Sequence, residues 1–298
     1  MGWLALLSLA KFGFYLGVIG FIGITSMLWF FHRHYTSCIP DSFAGSQLRV
    51  LGVSIVVSIV GALIVVPLNA GLLMDDGVIG ITDRFMLQIT WESTIGEQAR
   101  ARFTALVMMV IGVIGAFVQT NNLNWPRSFK AFLLLTTGVI SWSFTQSGHT
   151  ATTSVLAQCL IALHVVMAGW WVGSFYPLLR LCHLAEPAPL RHTLQQYGKQ
   201  AMVWVSALLL SGTALLILLI LNVDGELNST YLMVMAGKLV LVCVMLGFAA
   251  YHKWRLVKAL ETVQDCLRAK KSIISEAVVG LLVLATTATL TSSFGIAH

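Results

Sequence analysis

Long apolar stretches alternate with short polar ones along this chain, near residues 10–31, 49–73, 103–120, 129–146, 153–179, 200–221, 231–252 and 273–294. Each is close to the roughly 20 residues that a helix needs to cross a hydrocarbon core about 30 Å thick. None shows the alternation of a barrel strand, and backbone groups in lipid must be satisfied within the segment, so each stretch predicts a helix. The expectation is an all-α, polytopic membrane helix bundle with eight transmembrane helices, forming a single membrane domain over residues 1–298. The one long segment on its side of the bundle runs from Met74 to Arg102, and its middle, Phe85 to Ile95, has the mixed polarity of a helix lying on a membrane surface. Lys253 to Lys271 reads as a short basic connector suited to anionic headgroups. No repeat, low-complexity tract or Pro/Gly/Ser linker divides the chain.

Composition agrees: 57% of residues are apolar, 10% are charged and the mean hydropathy is +0.85, which excludes an ordinary soluble domain. The basic residues add orientation. Thirteen Lys and Arg side chains fall in the first, third, fifth and seventh loops, against four (Lys11, Arg84, Arg100 and Arg102) on the other side. The odd loops therefore face the cytoplasm, and both termini are expected to be periplasmic. The net charge of +6 is largely this asymmetry, so no nucleic-acid partner is expected. The first apolar run follows no basic segment and is long enough to span, unlike a cleaved signal.

Enzyme chemistry finds little to stand on. The five cysteines form no Cys-x-x-Cys pair, and on this topology none offers an external disulfide. There is no phosphate-binding G-x-x-x-x-G-K-[ST] loop and no H-E-x-x-H helix. The chain is expected not to be an enzyme.

What remains is the polar inventory inside the bilayer, where ionisable groups are costly and mark pathways: His164, Lys238 and Glu276. His164 lies near mid-membrane in the fifth span. Met167 and Trp171, three and seven residues on, share its helix face, while Cys159 points about 140° away. Imidazole with thioether suits a soft cation such as Cu(I). A polar contact between helices, with Met167 as packing, fits the same residues. His149, at the outer start of the span, is too far along a straight helix to share an ion with His164, so a surface-then-midplane relay is one arrangement and a folded-back loop another. In the seventh span Lys238, Met245 and His252 recur every seven residues, with Met235 one turn outward, all on one face. A packing seam explains the methionines equally well and the lysine badly. Glu276 is placed nearer the cytoplasmic end, beside His252. The metal candidates are thus His149, His164, Met167 and Met235, and the pathway candidates Lys238, Met245, His252 and Glu276.

Gly148-His149, the run His164-Val-Val-Met-Ala-Gly-Trp-Trp-Val-Gly173, the pair Gly237-Lys238 and Ser275-Glu276-Ala277 resemble the copper resistance D family, the CopD and PcoD type of inner-membrane protein. The resemblance covers about residues 129–294. It implies a multi-pass protein of the bacterial inner (cytoplasmic) membrane that moves or handles copper, usually inward from the periplasm and often beside a periplasmic copper-binding protein. Thr150 and Ser174 depart from the family's small-residue pattern, and no soluble copper-binding domain is fused to the chain, so a donor must come from elsewhere. Two other classes stay open: a b-type haem electron carrier, which needs imidazoles at matched depth on facing helices, and a scaffold that receives copper for insertion into an enzyme.

Overall fold

The polar residues flanking each apolar run turn out to be helical as well, which makes most helices longer than the hydrocarbon-crossing part that hydropathy detects. The computed structural model describes residues 2–34, 41–74, 77–118, 125–146, 154–184, 186–221 and 229–293. The helices are α1 Gly2–His34, α2 Asp41–Leu73, the single turn α3 Gly77–Gly80, α4 Arg84–Glu92, α5 Thr94–Val118, α6 Arg127–Trp142, α7 Val155–Gly173, α8 Phe175–Leu184, α9 Pro187–Leu221, α10 Ser229–Tyr251 and α11 Val263–Ser293. No strand occurs among the described residues. Among the described residues, seven helical segments are long and apolar enough to cross a membrane, with α7 and α8 counted together and α10 counted with the turn after it.

The expected fourth span, 129–146, is the exception, because α6 has only 16 residues before a 3-10 turn at Ser143–Gln146. It nevertheless lies antiparallel to α5. A Cβ placed on Gly115, near the end of α5, would come within 2.7 Å of the Phe129 ring, and Gln98, near its start, donates to the Ser143 carbonyl at 3.4 Å.

Two boundaries move for local reasons. α5 begins at Thr94 rather than near 103, after Ser93 turns the chain. The connector expected over 253–271 shrinks to a few residues: α10 runs into a π-turn over His252–Leu256, and α11 starts at Val263 behind a reciprocal cap in which Asp265 Oδ2 accepts from the Thr262 amide at 3.0 Å while Thr262 Oγ1 accepts from the Asp265 amide. Arg268, Lys270 and Lys271 therefore decorate the first turns of α11. The helix expected within Phe85–Ile95 forms as α4, with Asp83 as N-cap accepting from the Met86 amide at 2.8 Å.

α1 is the central helix. It packs on α2, α7 and α11, and its buried side chains, Phe14, Val18, Phe21, Ile22 and Met27 among them, anchor the main core. Gly23 and Gly173 meet backbone to backbone, so neither position has room for a Cβ; small residues let helices close in lipid, where no hydrophobic drive assists. Gly280 on α11 similarly admits Val172, Phe175 and Met245. Lys11 and Tyr15 of α1 reach Thr291 of α11, while Gly23 lies at the level of Gly173, which places α1 antiparallel to α11 and parallel to α7.

Candidate functional site

α7 starts behind Ser154, whose hydroxyl accepts from the Ala157 amide. Nine residues into the helix, about 14 Å along it, stands His164. Its Nδ1 lies 3.3 Å from Ser211 Oγ on α9, with the Leu208 carbonyl also in hydrogen-bonding reach. A Cβ on Gly212 would sit 3.0 Å from its Cε1, so the glycine makes room for the ring. In the tautomer with the proton on Nδ1, donated to Ser211 Oγ, Nε2 keeps its lone pair, as a metal ligand requires. Met167 is buried, and at 100° per residue it falls between His164 and Trp170 on the arc that faces α9, where Trp170 stacks on Tyr197 and Trp204.

Lys238 stands at the matching depth, nine residues into α10, and is within electrostatic reach of His164. It has no hydrogen-bond or ion-pair partner among the described residues. α10 packs on α11 but makes next to no contact with α7 or α9, so His164 and Lys238 face each other across a gap. Met235 is half-buried, one turn before Lys238.

Further towards Glu276 lies a cavity of 290 Å³, walled by Trp171, Phe175, Tyr197, Leu209 and Leu246 and reaching His252 and Glu276. Leu209, which lines the cavity, is two residues from Ser211, about half a helical turn from His164's partner along α9. At the bottom the π-turn sets His252 between two polar groups of α11. Its Nδ1 is 3.0 Å from Glu276 Oε2 and its Nε2 2.6 Å from Ser272 Oγ. Glu276 is 2% exposed, and the imidazole supplies the hydrogen bond that a buried carboxylate needs. π-turns of this kind recur where a side chain must be re-aimed at a functional site. Lys253 and Met202 touch through Nζ and Sδ at the rim.

Of the eight candidates from the sequence, the structure brings His164 within electrostatic reach of Lys238 and pairs His252 with Glu276, while Met167 is buried one turn along α7 from His164. Met245 is buried against Gly280 on the α11 side and does not line the cavity. Lys238 and Glu276 are not partners; Glu276 is taken by His252. His149 lies outside the described residues, as do Cys38 and His298. The sequence reading missed Ser211, Gly212 and Tyr197. Tyr197 and Trp204 are seven residues apart on α9, an aromatic face that spacing could have shown, whereas Ser211 and Gly212 have no signal apart from the ring they face. Among the described residues no three His, Cys, Asp or Glu side chains converge as a metal cage.

Residues 191–290 match the family model described as copper resistance protein D, CopD. The chain is thus CopD-like over α9, all of α10 and most of α11, and the match begins after the His164 run. No curated protein and no solved structure matched the chain.

Proposed function

We propose that this CopD-like chain carries copper, as Cu(I), across the inner membrane from the periplasmic side, through the gap between α7, α9 and α10. The observation that carries the reading is the alignment of polar groups along α10: His164 within electrostatic reach of Lys238 at one level, and the His252–Glu276 pair about 20 Å further along α10, where a 290 Å³ cavity reaches it. His164 and Met167 supply soft donors near mid-membrane, with Met235 one turn outward; His149, which the sequence offers as the outer acceptor, lies outside the described residues. His252 and Glu276 supply harder donors at the exit. A descending series of weak sites is what conduction requires, because a closed cage would retain the ion. Lys238 is the gate: as an ammonium it repels a cation at the narrowest level.

The topology that goes with this reading has eight crossings and both termini periplasmic. Its support is the antiparallel run of α1 and α11, which needs an even number, and the length of α6 with its 3-10 turn, about 32 Å in all. A periplasmic copper-binding protein is the donor that the family resemblance implies. Copper uptake into proteoliposomes holding the full chain tests the proposal: saturable Cu(I) uptake above empty vesicles is expected, and retained copper with no flux would replace transport by a scaffold role.

A further inference from the structure

Where α1 begins and α11 ends, the bundle holds two cations that a copper path does not use. Arg102 of α5 is 2% exposed, its guanidinium 4.4 Å from the Phe14 ring centroid and 5.7 Å from that of Phe144. It hydrogen-bonds Tyr15, and its Nε has no partner among the described residues. Lys11 of α1 is half-buried; its Nζ donates to the Thr291 carbonyl at 2.7 Å, and Tyr15 Oη shares a 3.0 Å hydrogen bond with Thr291 Oγ1. Lys11 and Arg102 are within electrostatic reach of each other. The ion pairs among the described residues, Arg191–Glu261, His252–Glu276 and Arg268–Asp265, involve neither of them.

Two like charges inside membrane-spanning helices, with no carboxylate paired to either among the described residues, are an arrangement that packing alone does not favour. The last carbonyls of α11 ease Lys11, since a helix C-terminus is partly negative. Arg102 has only two rings and a phenol. We propose that Lys11 and Arg102 together bind an oxyanion of the phosphate type, carried by an anionic lipid headgroup or as inorganic phosphate. Lys11 forms the opening of the site and Arg102 its floor, with Tyr15 and Thr291 fixing both.

The surroundings favour the lipid. α4 packs on α5 next to this site and leaves Phe85 and Trp91 67% and 40% exposed, as an interfacial helix would, with Arg100 stacked 5.7 Å from the Trp91 ring. Thr291 is two residues from the last described residue of α11, on the side of the bundle where α1 begins. Nothing in this site touches the gap described above, so the inference stands or falls apart from copper.

Native mass spectrometry of the full-length protein, offered phosphatidylglycerol and phosphatidylcholine with identical acyl chains, reads the preference directly. Wild type is expected to retain phosphatidylglycerol preferentially. Lys11→Met is expected to cut that preference about fivefold, Lys11→Met with Arg102→Gln further, and Lys11→Arg to restore it. In parallel, melting is compared in sodium phosphate and sodium chloride of equal ionic strength; stabilisation by phosphate without any lipid preference assigns the site to the free anion. Equal retention of the two lipids by wild type together with no phosphate effect on melting overturns the proposal without recourse to any variant. So does an unchanged preference in folded Lys11→Met and Arg102→Gln proteins.

Discussion

α1 and α10 are both apolar helices of membrane length, yet 78% of the apolar window of α1 is buried within the bundle and 6% of that of α10. α1 is held on three sides by α2, α7 and α11, whereas α10 rests on α11 and otherwise faces outward or across the gap. The difference separates two tasks. The first half of the chain makes a close-packed frame in which small residues let backbones touch, and the CopD-like third, residues 191–290, places His252 and Glu276 at a cavity. Weakly packed elements reorganise at least cost, which suits a path that must admit and release an ion.

The comparison breaks most visibly at glycines. Gly173→Ala forces a Cβ into the backbone of α1 and is expected to cost roughly 3 kcal/mol in thermal or denaturant unfolding. Gly237→Ala, with nothing within 4 Å of its added methyl, is expected to stabilise α10 by about 0.5–1 kcal/mol. Equal effects at the two sites would mean that frame and gap are packed alike.

Glu276→Gln comes next. Its amide oxygen still accepts from His252, so the fold survives, but the negative charge at the exit is lost and copper release is expected to slow by about tenfold or more, read as efflux from preloaded protein. Lys238→Met sharpens the account of the gap: with the ammonium gone, copper flux in proteoliposomes is expected to rise by a few fold while melting barely moves. If melting falls and flux is unchanged, Lys238 belongs to the frame. Smallest is Gly212→Ala, whose methyl presses on the His164 ring at 3.0 Å and is expected to weaken copper retention by a few fold with little change in stability.

Much of this architecture was legible because lipid leaves a chain so few options. Apolar runs marked the helices, and mixed polarity at Phe85–Ile95 marked α4. Helix ends were not legible, since hydropathy reports the hydrocarbon crossing while caps such as Ser93 and Thr262 set where winding begins. α6 was read as an ordinary span and is a short helix finished by a 3-10 turn, a change of winding that apolarity does not encode. Within the site, heptad spacing put Lys238, Met245 and His252 on one face of α10, but it could not tell that Met245 is buried against Gly280 while His252 turns to Glu276 and Ser272. The π-turn makes that distinction, and it depends on how α10 meets α11. The partner of His164 was equally hidden, because Ser211 and Gly212 are ordinary residues in an apolar helix until α9 is laid against α7.

The central claim is that copper passes His164 within the gap between α7, α9 and α10. Anaerobic Cu(I) titration of the purified full-length chain, wild type beside His164→Ala, with both confirmed folded by circular dichroism, tests it most directly. The account predicts that wild type binds copper and that His164→Ala loses affinity by about 10- to 100-fold. Equal affinity in the two proteins would contradict it.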